Sequence, residues 1–134
     1  MEIIYPSVGY FGDKTKDEQM SLDVRLSVLA DTGGEHLTEF SIYSSNITHN
    51  LNKMATAVGF YHQIWRPDEC GIEFAGDLAD ILESGLQKLK QDPEFYKSFN
   101  SENGWGEYEG FVKFVEEYAA ACKVHPKALV SVTR

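Results

Sequence analysis

The hydrophobic period of this chain changes twice, and those changes limit the fold more than any single motif does. From Met20 to Ala30 the apolar residues alternate, with Leu22, Val24, Leu26 and Val28 on one side and Ser21, Asp23, Arg25 and Ser27 on the other. That is the period of a half-buried strand. Asp31-Thr32-Gly33-Gly34 is a turn signal. Phe40 and Ile42 then alternate with Glu39, Ser41 and Tyr43, giving a second strand that pairs as a hairpin. From Leu51 the spacing becomes helical. Leu51, Met54, Ala55 and Val58 form a short apolar face that Gly59 stops. Leu78, Ile81, Leu82, Leu86 and Leu89 predict a helix from about Ala75 to Gln91, and Tyr108, Phe111, Val112, Val115, Tyr118, Ala119 and Cys122 a third.

The stretches between are also informative. Phe60 to Trp65 is apolar but short, and Arg66-Pro67-Asp68-Glu69 reads as a loop. Asp92-Pro93-Glu94 breaks the second helix and starts a further turn through Phe95 and Tyr96. Asn100 to Gly106 is a polar loop. After Pro126 a last strand follows at Leu129, Val130 and Val132. The expected class is α+β: a small antiparallel sheet, made of the N-terminal hairpin plus the C-terminal strand, with about three helices on one face. Ile3, Ile4 and Tyr5 add an edge strand, or else a loop interrupted by Pro6, Gly9 and Gly12.

Length and composition exclude several classes. Residues 1–134 are one domain by length, and 43% hydrophobic residues with 8 Phe, 7 Tyr and 2 Trp argue for a packed core rather than disorder. No apolar run approaches membrane-spanning length, and Met1-Glu2-Ile3-Ile4-Tyr5 lacks the basic start of a secretory signal. The expectation is a cytoplasmic protein in which Cys70 and Cys122 are reduced thiols and the Asn46-Ile47-Thr48 sequon is unused. Net charge is −9, and residues 67–121 alone hold 13 acids against 4 Lys. Direct nucleic-acid binding, which needs clustered Lys and Arg, is not expected. The acidic half is a solvated face, or one that meets a basic protein surface.

Three polar loops hold the candidate site residues. The first is Asn46-Ile47-Thr48-His49-Asn50-Leu51-Asn52, where a strand hands over to a helix. Thr48 or Asn46 serves as helix cap, and capping leaves His49, Asn50 and Asn52 unexplained. A helix start with amides and an imidazole suits an anionic ligand. The second is Trp65-Arg66-Pro67-Asp68-Glu69, in which Arg66 pairs with an anion and Trp65 stacks on a ring, or Arg66 pairs internally beside a core Trp65. The third, Asn100 to Gly110, places glycines on both sides of Trp105; Asn103 and Trp105 are either recognition groups or a helix cap and a hydrophobic lid. A lone His49 without a second ligand at helical spacing does not make a metal site, and no cofactor motif occurs. Cys122 and His62 fall on apolar segments and read as packing residues.

The blocks Asn46-Ile47-Thr48-His49-Asn50-Leu51-Asn52-Lys53-Met54-Ala55, Ile64-Trp65-Arg66-Pro67, Phe99-Asn100-Ser101-Glu102-Asn103-Gly104-Trp105-Gly106 and Tyr108-Glu109-Gly110 resemble a family of small uncharacterised phage and bacterial proteins, over roughly residues 38–134. The resemblance implies a phage or mobile-element setting, where small proteins block host defence by sequestering a nucleotide-derived signal or occupying a host protein. The leading expectation is a binding protein for a small anionic, nucleotide-like ligand. On this reading Asn46, Thr48, His49, Asn50, Trp65, Arg66, Asn103 and Trp105 form the site. The alternatives are an acidic module that occupies a host protein, and a hydrolase with His49 as general base near Asp68 or Glu102. The sheet edges leave a homo-oligomer open.

Overall fold

The computed structural model describes residues 21–134; the edge strand or loop expected at Ile3 to Tyr5 lies outside them. Three strands and five helices follow in the order β1 (Ser21–Ala30), β2 (Thr38–Thr48), α1 (Asn52–Val58), α2 (Tyr61–Trp65), α3 (Ala75–Gln91), α4 (Pro93–Lys97), α5 (Tyr108–Val124) and β3 (Leu129–Thr133). Short 3-10 turns at His49–Leu51 and Pro67–Cys70 complete the frame. The sheet order is β2-β1-β3, antiparallel throughout. The α+β class, the hairpin and the returning C-terminal strand are as the periodicity predicts. Phe60 to Trp65 is helical rather than merely apolar, and the loop read at Arg66 to Glu69 is a 3-10 turn.

Alternation on β1 holds through Leu22, Val24 and Leu26, all buried, and then fails. Ser27 is buried and Val28 is 37% exposed. The cause is local. β1 slips against β2 between Leu26 and Ser27, and β3 pairs only as far as Ser27, so Val28 lies beyond the three-stranded region. On β2 the apolar Phe40 and Ile42 are exposed, and Ile47 is the buried apolar position.

The core joins one sheet face to the helices. Tyr43 of β2 stacks on Tyr118 of α5 at 5.9 Å, and Val130 and Val132 of β3 pack on the same cluster. Each fully buried aliphatic or aromatic side chain there contributes about 1.5–3 kcal/mol relative to exposure. Phe60, at the start of α2, meets Phe111 edge-on at 5.8 Å and lies against α3 at Gly85. A Cβ on Gly85 would sit 2.2 Å from the Phe60 ring, so only glycine lets this ring reach the core. Tyr108 anchors α5 to α3 by donating from its hydroxyl to the Leu89 carbonyl at 2.7 Å. Burial pushes the Cys122 thiol up to about 12, which makes it a packing group rather than a nucleophile.

Candidate functional site

The strand-to-helix junction forms as its residues dictate. Thr48, extended at φ −70° and ψ 143°, accepts from the Asn50 N–H through its hydroxyl at 3.2 Å. Thr48, not Asn46, is therefore the cap. Asn46 instead faces its cross-strand partner and donates to the Asp23 carboxylate. The third loop folds onto this junction. Asn50 donates from its side-chain amide to the Trp105 carbonyl at 3.0 Å. Gly106 makes the approach possible. Its φ is +108°, and a Cβ there would lie 3.2 Å from Asn50 Cβ and Thr48 Cγ2.

Within the loop the Asn103 side-chain oxygen accepts from the Trp105 N–H at 3.0 Å and from the Ser101 hydroxyl. Asn103 thus shapes the turn. The α5 entry is held by Asn100 instead, whose side chain accepts from the Tyr108 N–H at 2.8 Å. Trp105 is 68% exposed.

Asn50 stands between two clefts. One, of about 680 Å³, is lined by Ser21, Asn46, Ile47, Thr48, Asn50, Asn103 and Trp105. The other, of about 720 Å³, lies against His49, Asn50, Asn52 and Lys53 on one side and Ser98 to Glu102 on the other. Both are within the range of ligand sites. In the first, the Asn46 and Asn50 side-chain carbonyls and the Asn103 amide nitrogen have no partner among the described residues. That leaves two acceptors and a donor beside an exposed indole. No Lys or Arg is among the described residues that line it. In the second, Lys53 has no ion pair among the described residues, and Glu102 is the carboxylate of that cleft.

The second polar loop does not join this site. Trp65 is 2% exposed, stacks on Tyr61 at 5.2 Å, and donates its indole N–H to His49 Nδ1 at 2.8 Å. Its ring is core, and no ligand can stack on it. Arg66 pairs with Glu69 at 2.8 Å and lines neither cleft. Arg134 completes a small charged cluster. Its guanidinium donates to the Trp65 carbonyl at 3.3 Å and to Asp68 at 2.9 Å, and the hydrogen bond from Arg134 holds the Asp68 carboxyl below its ordinary range. Thus Asn46, Thr48, Asn50, Asn103 and Trp105 converge, His49 touches the neighbouring cleft, and Trp65 and Arg66 belong to a structural cluster. Arg66 thus pairs with a carboxylate of its own chain beside a core Trp65.

His49 has a defined state. Accepting at Nδ1 from Trp65 requires the lone pair there, so the proton of the neutral ring is on Nε2. Lys53, which lines the second cleft, is absent from the sequence-based candidates. It follows His49 by four positions, and that spacing on a helical start was the available signal. Among the described residues no group of His, Cys, Asp and Glu could hold a metal ion, and no helix is long and apolar enough to cross a membrane. Comparison with protein-family models, with curated proteins and with solved structures finds no match.

Proposed function

We propose that this chain binds a small, ring-bearing, nucleotide-like ligand at the junction between β2 and α1, as a sequestering protein rather than an enzyme. The observation that carries the reading is the set of side-chain amide groups on Asn46, Asn50 and Asn103 that have no partner among the described residues, beside the exposed Trp105. A flat ring stacks on the indole, and the amides read its polar edge. The anionic part of the ligand points across Asn50 towards Lys53 in the adjoining cleft. Arg66, committed to Glu69, has no part in it. The resemblance to phage and bacterial proteins supplies the setting, removal of a nucleotide-derived signal.

Two rival readings have less support. A hydrolase with His49 as base would need the lone pair that already accepts from Trp65. A purely acidic docking module has to contend with lysines interleaved among its acids, since Lys90 pairs with Glu116 and Lys123 with Glu83.

Thermal-shift titration with nucleotides and ADP-ribose derivatives tests the proposal. A ligand present at about 100 times its Kd raises stability by about 2.7 kcal/mol. The Trp105→Ala protein is expected to keep its fold and lose the shift. No stabilisation by any of these compounds, or an equal shift in the variant, overturns the reading.

A further inference from the structure

Asn50 lines both large clefts, so they are two halves of one surface. Each half, at about 680 and about 720 Å³, has room for a whole small ligand. A single nucleoside fills one and leaves the other. The halves also differ in chemistry. The first offers the exposed Trp105 ring with side-chain amides around it. The second offers opposite charges on its two lips, Lys53 on α1 and Glu102 in the turn before α5. Neither charge has an ion pair or a hydrogen bond among the described residues.

The lip from Ser98 to Glu102 uses its hydroxyl hydrogens internally. The Ser98 hydroxyl donates to the Phe95 carbonyl, and the Ser101 hydroxyl to the Asn103 side-chain oxygen. Both oxygens keep lone pairs but have no hydrogen left for a ligand. The Glu102 carboxylate also only accepts. Asn100 is different, because its oxygen is taken by the Tyr108 N–H and its amide nitrogen is left to donate. Three acceptors beside one amide nitrogen suit a group rich in O–H donors, as the neighbouring hydroxyls of a sugar are. They do not suit a phosphate, which brings acceptor oxygens and a negative charge up to Glu102. The opposite lip is the reverse. Lys53 supplies N–H donors and a positive charge, the partner a phosphate needs.

We infer that the ligand is a nucleoside diphosphate whose outer phosphate carries a second sugar. The inference rests on the reading that places the ring on Trp105. From there the diphosphate passes Asn50 to reach Lys53, and the sugar hydroxyls donate to Glu102 and to the Ser98 and Ser101 oxygens. Glu102 then sets the choice between related ligands. It accepts from the sugar of the conjugate, and it repels the free outer phosphate of the plain diphosphate. A site that used Lys53 alone would prefer the plain diphosphate, which has the higher charge.

Titration calorimetry on the chain of residues 1–134 tests this with matched pairs: ADP and ADP-ribose, GDP and GDP-mannose, UDP and UDP-glucose. In at least one pair the sugar conjugate is expected to bind roughly tenfold tighter than its parent, the effect of one hydrogen bond to a charged group. Glu102→Ala is expected to bring that ratio close to one. Lys53→Ala is expected to weaken both members of the pair by the same factor, since both carry the diphosphate. The ratio is measured first on the unsubstituted protein, so it stands even if a variant folds poorly. A plain diphosphate that binds as tightly as its conjugate overturns the inference. So does a ratio that Glu102→Ala leaves unchanged. In either case, binding that Trp105→Ala abolishes would keep the ring on the indole, and only the second sugar would be struck. No binding by any of these compounds at about 1 mM, where even weak complexes register, overturns the ring reading and this inference together.

Discussion

The chain has two tryptophans, each next to a short polar stretch, and they meet opposite fates. Trp65 is 2% exposed and Trp105 is 68% exposed. The difference lies in what precedes and flanks each ring. Trp65 ends a helical turn, Tyr61–Trp65, whose Ile64 is also buried, so its ring is carried inward with the apolar face. His49 then accepts its N–H, which removes the penalty of burying that donor. Trp105 stands between Gly104 and Gly106, and its carbonyl, rather than its ring, is what the fold uses. One indole stabilises the domain. The other is left exposed by the domain, and it is the ring on which the proposed ligand would stack.

The largest effect expected separates the two rings. Trp65→Ala removes a fully buried aromatic and should cost about 3–5 kcal/mol in urea unfolding. Trp105→Ala should stay within about 0.5 kcal/mol of the parent, as exposed substitutions do. Equal losses would break the comparison. Next, His49→Phe keeps a ring of similar size beside Trp65 but offers no acceptor, and should cost about 1–3 kcal/mol. His49→Gln, which restores an acceptor, should recover part of that. If both variants match the parent, the His49–Trp65 bond is not what holds the inner ring.

A smaller effect sharpens the outer side. Gly106→Ala places a Cβ at a positive φ and against Asn50 and Thr48. The backbone term alone is about 1–2 kcal/mol. The bond from Asn50 to the Trp105 carbonyl should loosen with it, which heteronuclear NMR would report as a shift of the Asn50 side-chain amide. An unshifted Asn50 amide would mean that the Trp105 loop is not placed by this contact.

These contrasts explain what the sequence could convey. Period located β1, α3 and α5, because burying one face needs a regular spacing and each supplies it over ten residues or more, but it did not show that the short apolar run to Trp65 is helical. Period could not tell that Phe40 and Ile42 face solvent. Their coverage depends on how far β3 reaches along β1, and that is a tertiary fact. Local chemistry identified Thr48 as a cap candidate and the Asn46–Asn50 and Asn103–Trp105 segments as unusual. It could not pair Trp65 with His49, 16 positions apart, or Arg134 with Asp68, 66 apart. Asn100 shows the same limit. Asn103 is nearer the helix, yet the chain doubles back so that Asn100 meets the Tyr108 N–H.

The smallest expected effect concerns the cluster behind Trp65. The hydrogen bond from Arg134 holds Asp68 below the ordinary carboxylate value of 3.8. A carboxyl whose folded pKa is depressed adds stability above its unfolded pKa and loses that contribution as pH falls through the folded one. Asp68 is exposed, so solvent and salt keep the contribution small. Arg134→Met removes the ion pairs to Asp68 and Glu69 and the bond to the Trp65 carbonyl, whereas Asp68→Asn removes the Asp68 pair alone. The gap in urea midpoint between the parent and either variant should be widest near neutral pH and shrink below about pH 4, the onset of carboxylate protonation. What persists at the lowest pH in Arg134→Met belongs to the bond on the Trp65 carbonyl and to the arginine stem. A gap in Asp68→Asn that does not change with pH would leave Asp68 without a role. The inner tryptophan would then be held by packing and by His49 alone, and the two indoles would differ only in burial and not in the charges gathered around them.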